Sequence, residues 1–170
     1  ITFESKKGEG TTFVIRIPFK IDQDADKDKK QKNIAEKSIK DLEILLVEDN
    51  ELNMEIAEFV IQNEGASVTK AWNGQEAVEI FKKSRPDEFD VILMDIMMPV
   101  MNGYEAAKMI RTLDRDDAKT VPIIAMTANA FTEDRLKSKE SGMNEHIAKP
   151  IDAKLLVKVI SEFVENKERR

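Results

Sequence analysis

The chain is 170 residues long, 41% hydrophobic and 35% charged, with a formal net charge of −6. That balance suits one soluble globular domain with an additional segment and excludes a fibre, a collagen or a wholly disordered chain. The charge is unevenly divided: residues 1–40 carry 10 Lys/Arg against 7 Asp/Glu, and residues 41–170 carry 17 against 26, so the acidic body lacks the phosphate-neutralising charge of a nucleic-acid binder.

In chain order, Ile1-Thr2-Phe3-Glu4 and Thr12-Phe13-Val14-Ile15-Arg16-Ile17 alternate apolar and polar residues on either side of Lys6-Lys7-Gly8-Glu9-Gly10, which predicts a β-hairpin over residues 1–19. Two strands alone are marginal in water, so the hairpin reads as a remnant of a larger sheet. Between Lys20 and Lys40, 12 of 21 residues are charged, a composition that buries too little apolar surface to order itself as a loop and reads as a solvated linker or as a helix extending from a neighbour.

From Asp41 to residue 168 strands and helices alternate regularly. Ile44–Val47 is a short apolar strand ending in Glu48 and Asp49. The following helix runs from Asn50 to Asn63 and stops at Gly65. Leu52, Ile56, Phe59 and Val60 read as its core face. A second stripe, Met54, Ala57 and Ile61, reads either as a wider buried face or as a surface for a partner helix. Strands follow over Ala66–Trp72, over Val91–Met94 ending at Asp95, over Pro122–Met126 ending at Thr127, and over Glu145–Ala148 ending at Lys149. Helices occupy Gly74–Lys83, with Ala77, Val78 and Phe81 inward, Tyr104–Leu113, and Thr132–Ser141, stopped by Gly142. A last helix, capped by Asp152, packs through Leu155, Leu156, Val159, Ile160 and Phe163. Strand followed by helix, repeated in this way, predicts an α/β doubly wound parallel sheet with helices on both faces.

Uninterrupted apolar runs such as Ile44–Val47 and Val91–Met94 span four residues, against roughly 20 for a helix that crosses a bilayer, so no direct membrane contact is expected. Cysteine is absent and His146 is the single histidine. This excludes disulfides, thiol nucleophiles and Cys- or multi-His zinc sites, and suits a reducing, cytoplasmic setting. Without an initiator Met or a signal-peptide start, the chain reads as a piece of a longer protein.

The chemistry lies in where the polar residues fall. Glu48 and Asp49, Asp95, Thr127 and Lys149 each follow an apolar strand, and in a parallel sheet all carboxyl ends lie on one edge, where ligands bind. Three clustered carboxylates repel one another unless a cation neutralises them. Oxygen ligands without His or Cys favour a hard ion held by few carboxylates and several waters, which points to Mg²⁺. The Lys149 ammonium and Thr127 hydroxyl then suit a phosphoryl group bridged to that metal.

Glu48-Asp49, Met94-Asp95-Ile96-Met97-Met98-Pro99-Val100-Met101-Asn102-Gly103, Thr127-Ala128 and Lys149-Pro150 resemble the receiver domain of two-component signalling, from Asp41 to about Phe163. The resemblance implies a flavodoxin-like (βα)5 fold with strand order 2-1-3-4-5, an order that belongs to that fold class and is not read from the residues of this chain. It implies that Asp95 accepts a phosphoryl group from a partner's phosphohistidine, that Asp49 ligates Mg²⁺ directly and Glu48 through water, and that the Met97 carbonyl adds a ligand. Lys149 would neutralise the acyl phosphate, and Thr127 would swing toward it with the residue three before the lysine. Receivers often have Tyr or Phe there; this chain has His146, a ring whose unperturbed pKa is about 6.5. Met97 and Asn129 occupy the positions that tune dephosphorylation. Met97 cannot orient an attacking water, although the Asn129 amide can, and a phosphoryl lifetime of minutes or longer is expected.

Ile1-Thr2-Phe3-Glu4-Ser5, Gly8-Glu9-Gly10-Thr11-Thr12-Phe13 and Arg16-Ile17-Pro18 are similar to the last two strands of a histidine kinase ATP-binding domain. Together the resemblances imply the receiver of a hybrid sensor histidine kinase whose parent can be membrane-anchored. Its partners would be a histidine kinase dimerisation domain or a histidine phosphotransfer domain. The alternative is a phosphate-inactive pseudo-receiver acting as a binding module, against which the complete acid, Thr and Lys set argues. A flavin-binding flavodoxin is disfavoured because no phosphate-cradling loop follows the first strand.

Overall fold

The computed structural model describes residues 1–16, 38–127 and 132–168. It divides into two compact units, the first within Ile1–Glu36 and the second from Lys37 onward.

The first unit contains the predicted hairpin. Strands β1 (Thr2–Lys6) and β2 (Gly10–Val14) pair antiparallel, with Phe3 opposite Phe13 and Ser5 opposite Thr11. Gly8 and Gly10 take the positive φ that the turn needs, 86° and 106°, and glycine adopts this without a Cβ penalty. The Phe3 and Phe13 rings meet at 5.9 Å. The linker expected over 20–40 lies outside the described residues except at its end.

The second unit has a five-stranded, wholly parallel sheet of β3 (Glu43–Val47), β4 (Ser67–Ala71), β5 (Val91–Asp95), β6 (Ile123–Thr127) and β7 (Glu145–Ala148). Their spatial order is β4-β3-β5-β6-β7, which is the expected 2-1-3-4-5 when counted within this sheet. Helices α1 (Glu51–Asn63), α2 (Gly74–Lys83), α3 (Gly103–Thr112), α4 (Asp116–Thr120), α5 (Thr132–Glu140) and α6 (Ala153–Glu168) connect and follow the strands. Alternate strand residues feed two cores, as a sheet covered on both faces requires. Ile44, Leu46, Val91, Leu93, Ile124 and Met126 pack with α1 and α6; Leu45, Val47, Ile92, Met94 and Ala125 pack with α2, α3 and α4.

Several local expectations differ from the structure. On α1 the stripe of Met54, Ala57 and Ile61 is buried in the core, and of the residues expected to form the core face only Val60 packs against it, whereas Leu52, Ile56 and Phe59 are 64%, 47% and 71% exposed. Apolar residues lie around most of this helix, so periodicity alone does not distinguish the stripe that meets the sheet. Leu155 is exposed, and α6 packs through Leu156, Val159 and Ile160. Ile39, placed by sequence in the linker, is fully buried with Ile61, Ala66 and Ile44, so the packed unit reaches back past Asp41. The short α4 has no apolar period to announce it. It is held by Arg115, which donates to the Phe81, Ser84 and Arg85 carbonyls and to Asp117.

Candidate metal and phosphoacceptor site

The parallel topology brings every strand-end residue singled out above to the carboxyl edge. Glu48 follows β3, Asp95 ends β5, Thr127 ends β6 and Lys149 follows β7. Adjacent strands then set the spacing. The Lys149 backbone N–H donates to the Thr127 carbonyl at 2.7 Å, and the Ile96 N–H to the Met126 carbonyl at 3.2 Å. Ligand oxygens of Glu48, Asp49 and Asp95 all lie within 4.8 Å of one another. Glu48, Asp95 and Thr127 are buried, and Asp49 is exposed. The Lys149 ammonium reaches both buried acids, at 2.5 Å to Glu48 Oε2 and 2.8 Å to Asp95 Oδ2.

The site's electrostatics follow from that arrangement. Burial pushes the Asp95 carboxyl above its ordinary pKa, and Glu48 adds to this, against the opposing hydrogen bond and charge of Lys149. For Lys149, burial favours the neutral amine, but its bonds to Asp95 and Glu48 outweigh it and the ammonium is held more firmly than usual. One ammonium faces three carboxylates, so the cluster is short of positive charge. A hard divalent cation on its oxygens offsets that deficit, and the donor set therefore fits Mg²⁺.

The loop after β5 is shaped by close backbone approach. A Cβ on Gly103 would lie 2.2 Å from the Asp95 carbonyl oxygen, so only glycine lets α3 start there, and its N–H donates to the Ile96 carbonyl at 3.0 Å. Val100 has φ 69°, and the Met101 N–H donates to the Pro99 carbonyl at 2.8 Å, which makes a γ-turn centred on a β-branched residue. The Met97 backbone N–H reaches Asp95 Oδ1 at 3.4 Å, while its side chain is 78% exposed beside the cluster.

His146 lies within β7 opposite Ala125. Its mostly buried ring places Nδ1 2.9 Å from Glu145 Oε1, and among the described residues it is not one of the clustered ligands. Asn129 lies outside the described residues. Sequence reasoning did not single out Asn50 and Asn53, both of which donate to Glu48 Oε1, from the backbone N–H at 3.3 Å and from Nδ2 at 3.1 Å.

A polar cluster at the carboxyl ends of an open parallel sheet is where α/β folds bind their ligands, and the acid, hydroxyl and ammonium set found here is that of a receiver. The response regulator receiver domain family matches residues 44–161, and the chain belongs to that family. Hybrid signal transduction histidine kinase M of Dictyostelium discoideum is 42% identical over 74% of this chain and 5% of its own length. The aerobic respiration control sensor protein ArcB of Escherichia coli is 32% identical over 96% of this chain and 20% of its own. The chain thus spans a small part of the hybrid kinases it matches. Among solved structures, the receiver domain of a Pseudomonas aeruginosa sensor histidine kinase, with a magnesium ion coordinated in its active site cleft, is 38% identical with a TM-score of 0.67, over 74% of this chain and 98% of that domain.

Proposed function

We propose that this receiver takes a phosphoryl group from a phosphohistidine onto Asp95 within a phosphorelay. The observation that carries this reading is the contact of a single ammonium, Lys149, with both Glu48 and Asp95 at the sheet edge. The Asp95 carboxylate oxygen attacks phosphorus in line, the P–N bond breaks, and the imidazole leaves with its electron pair as an acyl phosphate forms. Lys149 is placed to neutralise charge on the transferred oxygens, and Thr127 to donate to them and to report the modified state together with His146. Asp49, Asp95 and the Met97 carbonyl would hold Mg²⁺ directly and Glu48 through water. The ion supplies charge neutralisation between the acid cluster and the phosphoryl oxygens. Catalysis is positioning and electrostatics, with no proton abstraction required of the chain. Incubation with Mg²⁺ and a small phosphodonor should add one phosphate by mass, lost on hydroxylamine treatment and absent in Asp95→Ala. An adduct that persists in Asp95→Ala would overturn the assignment.

The α1 stripe of Leu52, Ile56 and Phe59, exposed beside Pro150 and Ile151, suits a helical partner, either a histidine kinase dimerisation domain or a histidine phosphotransfer domain. Charged substitutions there, Leu52→Glu with Phe59→Glu, should slow transfer from such a partner and leave small-donor phosphorylation intact; equal loss of both would exclude a docking role. The hairpin and the ArcB similarity over 96% of the chain support the reading of residues 1–19 as the end of a kinase ATP-binding domain, followed by a linker and then by a receiver that runs to residue 168 and already includes Ile39 in its core. The whole protein would be a hybrid histidine kinase with these domains in the cytoplasm. No helix among the described residues is long and apolar enough to cross a membrane.

A further inference from the structure

Three helices open on an asparagine. Asn50, Asn73 and Asn102 each accept at the side chain from the backbone N–H three residues on, at 3.0, 2.9 and 3.0 Å. In α2 and α3 that third residue is a glutamate. Glu105 turns back to accept the Asn102 N–H at 3.2 Å, the reciprocal capping box that stabilises a helix start, and Glu76 accepts the N–H of Trp72, the residue before the Asn73 cap, at 2.7 Å. At the equivalent place in α1 stands Asn53. Its amide is turned the other way, donating to Glu48 Oε1, and Glu48 itself accepts the Asn50 N–H that a glutamate at 53 would have taken.

Glu48 is 1% exposed, and a buried carboxylate is tolerated only where its oxygens are bonded. Oε1 is held by Asn50 and Asn53, and Oε2 by Lys149. A carboxylate can only accept, so the amide of Asn53 must present its NH₂ to it. We propose that Asn53 is a positioning residue for Glu48: it saturates Oε1, fixes the carboxylate plane and leaves Oε2 directed toward Lys149 and the cation. A neutral donor suits this task. A glutamate at 53 would repel Glu48, and a lysine or arginine would offset the negative charge that attracts the metal. The inference rests on the Mg²⁺ reading of the site, and outer-shell partners of this kind change metal affinity by about tenfold or more when removed.

Two variants test it on the 170-residue chain, with Mg²⁺ alone as the probe. Calorimetric titration should give Asn53→Ala a Mg²⁺ Kd about tenfold weaker than the parent's; a Kd within about twofold, in a variant with unchanged circular dichroism, overturns the proposal. Asn53→Asp in chelator should melt at least about 4 °C below the parent, because a like charge replaces the donor to a buried carboxylate. An acid is favourable in the first turn of a helix, so a residue that served only the helix start would give equal or higher melting, which also overturns the proposal. A parent that binds no Mg²⁺ would instead refute the metal reading, while the melting of Asn53→Asp would still decide the Asn53 to Glu48 contact.

Discussion

Replacing Asp95 with asparagine tests whether the proposed phosphoacceptor is held in the fold at an energetic disadvantage that a cation removes. With Lys149 at 2.8 Å, attraction to the ionised Asp95 is about 6 kcal/mol at an effective dielectric constant of about 20. Glu48 within 4.8 Å returns at least about 3.5 kcal/mol of repulsion on the same basis, and the exposed Asp49 a smaller, screened amount. The Coulomb terms thus favour the ionised form by only about 2 kcal/mol. Burial outweighs them, because the Asp95 pKa is raised above its ordinary 3.8. A carboxyl with a raised folded pKa makes the fold bind more protons than the unfolded chain. Stability therefore falls as pH rises from 3.8 through the higher folded value, and the loss is complete only above that value.

Asp95→Asn removes that disadvantage while its amide oxygen can still accept from Lys149. In chelator at pH 7 the variant should be at least as stable as the parent. Saturating Mg²⁺ should reverse the order, since metal at about 100 times its Kd stabilises the parent by about 2.7 kcal/mol, and the variant lacks one anionic ligand. Urea unfolding followed by circular dichroism, with chelator and with Mg²⁺, measures both differences. An Asp95→Asn variant more than about 1 kcal/mol weaker than the parent in chelator would refute the reasoning, because Asp95 with Lys149 would then be a structural pair.

Asp117, held by Arg115 at 2.6 Å and accepting the Asp87 N–H at 2.9 Å, should cost about 3 kcal/mol in urea unfolding at pH 7 when replaced by alanine. The Arg115 hydrogen bond holds its pKa below 3.8, so that contribution is fully present above the unfolded value and is lost as pH falls below 3.8 through the folded one; a parent-to-variant gap unchanged at pH 2 would contradict this. Val100→Asn should raise stability by about 1 kcal/mol, because asparagine tolerates the positive φ that a β-branched side chain resists, and an unchanged midpoint would show that no strain is stored there. Purified phosphoprotein in Mg²⁺ should keep its phosphate for minutes or longer, given Met97 beside Asp95, and loss within a few seconds would exclude the tuning proposed for Met97 and Asn129.

Much of the site was legible in one dimension. Short apolar strands are recognised by their runs, and a polar residue at the end of each lies at the same edge once the strands are parallel, so Glu48, Asp49, Asp95, Thr127 and Lys149 could be assembled from the residues alone. The core of α2, Ala77, Val78 and Phe81, followed from a clear apolar period. The two faces of α1 were a different problem, because Leu52, Ile56 and Phe59 have the same hydrophobic character as Met54, Ala57 and Ile61. Only docking of α1 on β3 and β5 decides which stripe is buried. Ile39 likewise became core through contact with Ile61 and Ala66, a long-range pairing that the charged composition around it concealed.

By itself, then, the sequence determined the order of elements, the parallel sheet and the polar residues at its reactive edge, since these depend on local runs and on chain direction. Tertiary structure decided which side of α1 faces solvent, the burial of Glu48 that makes Asn53 matter, and the approach of α3 to the Asp95 carbonyl that admits only Gly103. The buried side of α1 and the burial of Glu48 depend on strands and helices far apart in the chain, and Gly103 meets Asp95 only because the loop between them folds back on itself; a local pattern carries no information about such approaches until the chain packs.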